Sequence, residues 1–219
     1  MATVYGVSAS PFVRKLRVFL DEKGIDYETK PVFPGTDDES FRAISPLGKV
    51  PAYRDEEVAI SDSSVICAYL EKKHSEPPLY PTAGADYARA LWFEEYADTA
   101  VVEPAAAVFQ ERVLAKTFFG RDSNEERLAK AINESLPVVC DYLEAQIGQI
   151  DPSGDGLFLV GGRLSIADIA VASPFVNLNH GGERVDASRW PGLSAYLEGI
   201  LGRDSFKALI AEDSQLLGG

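Results

Sequence analysis

The chain has 219 residues and a formal net charge of −13, with 34 acidic against 21 basic side chains. Such an acidic chain is not expected to bind nucleic acid, because that binding depends on Lys and Arg meeting phosphates. The sequence contains no run of about 18 apolar residues, so no membrane span is predicted, and its first residues predict no secretory signal. Cys67 and Cys140 lie far apart within helical patterns. This favours buried thiols in a reducing compartment, and we expect a cytoplasmic protein.

The N-terminal segment predicts a strand followed by an amphipathic helix. Residues 2–7 are rich in β-branched and aromatic side chains, as strands are. Between Pro11 and Lys23 the apolar residues recur at helical spacing. Ser10 stands directly before Pro11, which is a preferred arrangement at a helix start. Ser10 is therefore predicted to present a hydroxyl at a helix N-terminus.

Residues 45–70 predict a loop, a hairpin and a helix in close succession. Two short apolar runs joined by three polar residues predict the hairpin, and Ser61-Asp62-Ser63-Ser64 before an apolar run predicts a helix start. The free N–H groups of a helix start can bind a carboxylate, and Asp62 stands where it could pair with an ammonium group. This combination fits an extended peptide that carries an amine and a carboxylate at one end.

The motif P-L-G-K-V-P, followed by D-S-x-x-I-x-x-Y-L, resembles the glutathione-binding half of the cytosolic glutathione S-transferase family. The resemblance implies a cis peptide bond before Pro51 and backbone pairing of Val50 with the cysteinyl unit of glutathione. It also implies that Asp62, where the family usually has Glu, and Ser63 hold the γ-glutamyl end. The glutathione-binding residues expected from the resemblance are Phe12, Lys49, Val50, Pro51, Asp62 and Ser63.

The opening of the chain, a strand followed by S-P-F-x-R-K, resembles the serine-type members of this family. In those members the serine hydrogen-bonds the sulfur of glutathione, so the resemblance implies a catalytic Ser10. Ser8 and Tyr5 are open alternatives for the hydroxyl that faces the sulfur. Other members carry Cys at the matching position and exchange disulfides, and the absence of Cys there argues against that chemistry.

The glycine carboxylate of glutathione lacks an obvious partner. Plant-type serine relatives have a His-Lys pair in the segment where this chain has Asp37 and Asp38, and carboxylates cannot bind a carboxylate. Lys49 or Arg14 could substitute. Arg14 belongs to a basic cluster with Lys15 and Arg17, which we expect to help receive an anionic tripeptide.

The order of predicted elements indicates an α+β protein with two domains. Residues 1–75 give strand, helix, strand, helix, strand, strand, helix, a thioredoxin-like order, with the second strand over 25–34. Residues 76–85 form a Pro-rich linker, and 86–219 form an all-helical domain. Long helices are predicted over 86–115, kinked at Pro104, and over 123–147. Ser165 and Asp168 predict a capping box, which resembles the buried capping motif of the family's helical domain.

The resemblance implies a homodimeric glutathione S-transferase that stabilises the thiolate of glutathione, its co-substrate, for attack on a small apolar electrophile. No metal is expected. Isomerisation, dehalogenation and peroxide reduction at the same site are open alternatives. So is a non-enzymatic regulatory or binding protein of the same fold, like the bacterial stringent-starvation regulators. The wall of the electrophile pocket is predicted to include Phe12, Phe109, Arg112 and Phe119.

Overall fold

The computed structural model describes residues 1–33, 35–150 and 156–218. The chain forms two compact units. The first consists of Met1–Tyr80 together with Asp204–Gly219, and the second consists of Pro81–Arg203. The C-terminal segment from Asp204 therefore belongs to the first unit, which differs from the predicted helical domain over 86–219.

The first unit contains a sheet and three helices next to it in the sequence. In chain order these elements are β1 (Ala2–Tyr5), α1 (Pro11–Glu22), β2 (Tyr27–Lys30), α2 (Glu39–Arg42), β3 (Ala52–Arg54), β4 (Ala59–Ser61) and α3 (Ser63–Lys73). The order matches the predicted thioredoxin-like one. In the sheet the strands are arranged in the order β2-β1-β3-β4. Strand β1 is parallel to β2 and antiparallel to β3, which is antiparallel to β4.

Strand β2 is shorter than the predicted run of 25–34. It ends at Lys30, directly before Pro31. Proline has no N–H to donate to a strand ladder, which explains the end of the pairing at this point. The part of the prediction that falls on residue 34 lies outside the described residues.

The second unit consists of helices and their connections. Its helices are α4 (Gly84–Tyr96), α5 (Val102–Phe109), α6 (Ala115–Thr117), α7 (Glu125–Lys130), α8 (Leu136–Ile147), α9 (Ile166–His180) and α10 (Pro191–Leu201), and α11 (Asp204–Leu216) returns to the first unit. Within the described parts of the chain, no helix is both long and apolar enough to cross a membrane.

The two long helices predicted over 86–115 and 123–147 are interrupted by π-helical turns. These turns span Ala97–Val101, Gln110–Leu114 and Ala131–Ser135. Pro104 and Pro137 follow the first and the last of them within one turn. A proline removes an N–H donor and clashes with the carbonyl of the preceding turn. A wider π-helical turn next to the proline relieves this clash.

Helix α9 is buried along nearly its whole length and begins at the predicted capping box. The carboxylate of Asp168 accepts hydrogen bonds from the Ser165 N–H at 2.9 Å, the Leu159 N–H at 2.8 Å and the Tyr196 hydroxyl at 3.1 Å. Burial raises the pKa of Asp168 to about 6, although these donors oppose the shift. The capping box is confirmed, and its hydrogen bonds join three segments of the second unit.

Both cysteines, Cys67 and Cys140, are buried. Burial raises the pKa of the Cys140 thiol to about 12. A thiol with such a pKa carries almost no thiolate at neutral pH, so Cys140 is an inert core residue.

Glu111 ties the second π-helical turn to the loop that follows α6. Its side chain is 1% exposed, and its carboxylate accepts from both Nη atoms of Arg121 at 2.6 and 2.9 Å and from Arg127 Nη1 at 2.7 Å. The Asn124 N–H donates to the same carboxylate at 2.9 Å. The hydrogen bonds, led by those from Arg121, lower the pKa of Glu111 to about 2.

Because the folded state lowers this pKa, Glu111 stabilises the fold above its unfolded pKa, and this stabilisation is lost as pH falls towards 2. We expect Glu111→Gln to lower the free energy of unfolding by about 1–2 kcal/mol at pH 7. This is less than the roughly 3 kcal/mol that the full shift implies, because Arg121 and Arg127 are 42% and 44% exposed. Urea unfolding of parent and variant from neutral to acid pH measures the difference, which should shrink below about pH 4. The exposed Glu103→Gln is the control, and an equal loss in both variants would contradict the assignment.

Candidate active site

Ser10 is the N-cap of α1. Its backbone is extended, with φ −77° and ψ 125°, and its Oγ accepts from the Val13 N–H at 3.5 Å. Pro11 is the first helical residue, and Ser10 is half-buried. The unpaired N–H groups and the dipole of a helix start favour a negative charge in their vicinity. The half-exposed hydroxyl thus lies where an anionic sulfur would be stabilised.

The two alternative hydroxyls have different surroundings. Ser8 is fully buried, and it contributes to the lowered pKa of the Glu212 carboxyl, after the larger contribution of Arg17. Tyr5 lies within β1, where its ring is tilted against that of Phe41 with centroids 6.3 Å apart. Neither hydroxyl is at a helix start, and the geometry favours Ser10. The assignment of the sulfur-facing hydroxyl stays a prediction.

The loop before β3 is a hydrogen-bonded turn that leads into a cis peptide bond. The Ser45 hydroxyl donates to the Lys49 carbonyl at 2.7 Å, and the Gly48 N–H donates to the Ser45 carbonyl at 2.8 Å. The Val50–Pro51 bond is cis, as predicted. Val50 is 8% exposed, whereas the side chain of Lys49 is exposed. This turn fixes the backbone of the segment expected to bind the tripeptide.

Asp62 begins helix α3 in an unusual backbone conformation. Its φ is +85°, its carboxylate accepts from the Ser64 N–H at 3.0 Å and the Val65 N–H at 3.2 Å, and its own N–H donates to the Pro51 carbonyl at 3.3 Å. A positive φ at a residue other than glycine costs on the order of 1–3 kcal/mol and is concentrated at functional sites. Asp62 is exposed, and the adjacent Ser63 is buried.

Close contacts bring these segments together at one end of the sheet. Gly6, after β1, has φ +139°, and a Cβ added to it would lie 2.5 Å from Val13 Cγ2 and 3.2 Å from Val50 Cβ. The Lys15 ammonium donates to the Ser64 hydroxyl at 2.9 Å, which joins α1 to the start of α3. Neither contact is predicted from the sequence. A glycine between a strand and a Ser-Pro helix start was the available signal for the first.

The predicted role of Arg14 as a partner of the glycine carboxylate is wrong. Its side chain is 0% exposed, and its Nη2 pairs at 2.6 Å with Oδ2 of Asp213, which is equally buried. Lys15 is 1% exposed, and the Arg17 guanidinium pairs with Glu212 at 2.6 and 2.8 Å. The basic cluster therefore packs inside the first unit instead of receiving a ligand.

The acidic segment before α2 has a structural use. The carboxylate of Asp38 caps this helix by accepting from the Ser40 N–H at 2.8 Å and the Phe41 N–H at 3.3 Å. Hydrogen bonding, first from the Ser40 hydroxyl, lowers the pKa of Asp38. Lys49 is thus the exposed cation among the two candidates named for the glycine carboxylate.

The pocket candidates of the second unit fall into two places. Phe109 is 5% exposed, with its ring 6.4 Å from that of His180, and Arg112 donates to the neighbouring Gly181 carbonyl at 2.9 Å. Both residues therefore pack at the end of α9. Phe119 is 56% exposed and has the guanidinium of Arg121 5.8 Å from its ring centroid. A role of these residues in substrate binding stays a prediction.

Two protein-family models match this chain. A family model described as glutathione S-transferase, N-terminal domain, matches residues 4–78, and one described as glutathione S-transferase, C-terminal domain, matches residues 109–213. Glutathione S-transferase 4 from Zea mays is 30% identical over 208 residues, which cover 88% of this chain and 87% of that protein. The uncharacterized GST-like protein YibF from Escherichia coli K12 is 31% identical over 208 residues, which cover 92% and 94%.

Solved structures agree. The crystal structure of a glutathione S-transferase from Rhodospirillum rubrum F11 has a TM-score of 0.85 and 26% identity, covering 95% of this chain and 91% of its own. A thioredoxin-like unit followed by helices is thus the shared architecture. The chain therefore belongs to the glutathione S-transferase family.

The contact at Gly6 generates a prediction. We expect Gly6→Ala to shift the turn that carries Ser10, because the added Cβ meets Val13 and Val50 and the positive φ disfavours a side chain. Turnover should fall by about tenfold or more, in line with the cost of a misplaced reacting group. Gly24→Ala is the matched control, since Gly24 also has a positive φ, of +65°, but open space around the added Cβ. It should lose stability with turnover unchanged. Equal turnover in the two folded variants would refute this reading.

Proposed function

We propose that this protein binds glutathione in its first unit and stabilises the thiolate for attack on an apolar electrophile. The observation that carries the proposal is the convergence of the Ser10 helix start, the hydrogen-bonded turn before Pro51 and the Asp62 cap at one end of the sheet. The Val50 backbone would pair with the cysteinyl unit, and Asp62 and Ser63 would hold the γ-glutamyl end. The exposed Lys49 would meet the glycine carboxylate.

The free energy required of Ser10 is within the reach of its surroundings. Lowering the pKa of a thiol from roughly 8.5 to about 6.5 requires about 2.7 kcal/mol. A hydrogen bond to a charged group supplies roughly 1.5–3 kcal/mol, and a helix terminus supplies about 0.3–2 kcal/mol. Ser10 at the start of α1 therefore suffices without a general base.

The thiol proton of glutathione leaves to solvent, and the thiolate that remains donates its electron pair to the electrophilic carbon. A carbon–sulfur bond forms while the leaving group departs with its own electron pair, or while an epoxide or activated double bond takes up a proton. Phe12, half-buried two residues after Ser10, is a candidate wall for the electrophile.

We also propose a homodimer in the cytoplasm. Cys67 and Cys140 are buried thiols far apart in the sequence, which suits a reducing compartment, and closed two-fold assemblies are the commonest form of soluble oligomers. Sedimentation at micromolar concentration should show twice the mass of the chain. A monomer under these conditions would count against the dimer.

Retention on immobilised glutathione, with elution by free glutathione, tests the binding half of the proposal. Isomerisation, dehalogenation and peroxide reduction would use the same thiolate, and a panel of electrophiles, epoxides and peroxides separates these outcomes. Specific retention without turnover on any of them would indicate a binding protein of the same fold. Flow-through would overturn the proposal.

The role of Ser10 has its own test. We expect Ser10→Ala to reduce turnover by at least about tenfold, the worth of a hydrogen bond to a charged group, with glutathione affinity within about tenfold of the parent. The apparent thiol pKa in the pH–rate profile should rise, so that activity recovers as pH increases. Ser10→Thr, which keeps the hydroxyl and the cap, should stay close to the parent.

A control is needed because Ser10→Ala also removes a helix cap, which costs about 1 kcal/mol of stability. Asn124 caps α7 through the Arg127 N–H, in the other unit. Asn124→Ala should lose similar stability and keep the thiol pKa. If Ser8→Ala raises the thiol pKa and Ser10→Ala does not, the catalytic hydroxyl is that of Ser8.

A further inference from the structure

We propose that the buried Arg14–Asp213 ion pair positions Ser10, so that the C-terminal helix α11 controls the pKa of bound glutathione. This inference rests on the proposed function of Ser10. Arg14 and Asp213 are positioning residues here: both side chains are 0% exposed, so neither reaches a ligand directly. Their effect would pass through the backbone of α1.

The connection to Ser10 is short. The Arg14 N–H donates to the Ser10 carbonyl at 2.9 Å, which makes this the first hydrogen bond of α1. The Ser10 hydroxyl in turn accepts from the N–H of Val13 in the same turn. The side chain of Arg14 thus holds the turn that defines the direction of the Ser10 hydroxyl, because it is fixed at its far end by Asp213 at 2.6 Å.

A second ion pair joins the same two helices and supplies an internal comparison. Arg17 pairs with Glu212 at 2.6 and 2.8 Å, one turn further along α1, and the side chain of Glu212 is 47% exposed. Both pairs contribute to the docking of α11 against α1. Arg14 is the one whose backbone bonds to Ser10, so we expect an effect on the bound thiol from this pair alone.

Because the Arg14–Asp213 pair is buried, a substitution that tests it must not leave one of its two charges without a partner. Removing one partner would leave an uncompensated charge in the interior and would strongly destabilise the single variants. Replacing both partners by apolar side chains of similar size can preserve folding. The double variant Arg14→Met/Asp213→Leu therefore removes the charges without stranding one, while apolar packing keeps α11 in place.

The experiment compares this double variant with Arg17→Met/Glu212→Leu. Each full-length protein is titrated with glutathione while the thiolate absorbance is followed against pH, and kcat and KM are measured with the best electrophile. For Arg14→Met/Asp213→Leu we expect a thiol pKa raised by about one unit and a kcat reduced by about tenfold or more, with KM for glutathione within about threefold. For Arg17→Met/Glu212→Leu we expect an unchanged thiol pKa and a kcat within about twofold of the parent.

A thiol pKa that is unchanged in Arg14→Met/Asp213→Leu, or raised equally in both double variants, would overturn the inference. Should this double variant not fold, Asp213→Glu replaces it: the pair keeps its charges, and the extra methylene displaces Arg14. The displacement should again raise the thiol pKa at unchanged KM, and an unchanged pKa would again refute positioning.

Failure of the proposed function gives a different pattern from failure of the inference. If Ser10 does not face the sulfur, Ser10→Ala leaves the thiol pKa unchanged. If Ser10→Ala raises the pKa while the Arg14–Asp213 variants do not, the function stands and the positioning role falls.

Discussion

Helix α1 carries three cationic side chains that are buried inside the first unit, and each has a defined partner. Arg14 pairs with Asp213, Lys15 donates to Ser64, and Arg17 pairs with Glu212. A buried charge without a partner costs far more than the few kcal/mol by which a domain is stable. Helix α1 can therefore adopt its position only when α3 and α11 are both in place.

This dependence links the two ends of the chain. The atoms of Arg14 and Asp213 that meet at 2.6 Å belong to residues 199 positions apart. A helix at the C-terminus usually frays unless tertiary contacts hold it, and here the contacts are a buried pair and a second, bidentate pair. The first unit is completed only by the last residues of the chain, which is why a division at the linker does not describe it.

The parts that could be predicted from the sequence are those with local causes. Helix starts follow from capping residues such as Ser10, Asp62 and Ser165, and the thioredoxin-like order follows from alternating strand and helix periodicity. The cis bond at Pro51 followed from the resemblance of a short motif. The docking of α11 could not be predicted, because charges on one helix do not reveal which distant residue neutralises them. For the same reason the sequence alone does not show that Arg14, Lys15 and Arg17 pack inside the first unit instead of forming a ligand-binding surface.

The net charge of the protein opposes binding of the expected ligand, because that ligand is anionic and the protein carries a formal net charge of −13. Long-range attraction cannot supply the binding energy in such a protein. Two helix starts, at Ser10 and at Ser63, meet at the same end of the sheet, and the dipole effect of a helix acts mainly within its first turn. Oriented N–H groups at these helix starts can therefore favour a negative charge locally, although the protein as a whole is acidic. Because such groups act only on atoms held against them, binding of an anionic ligand depends on the fixed turns at Gly6 and Asp62. Glycine adopts the positive φ of Gly6 readily, whereas the positive φ of Asp62 is costly.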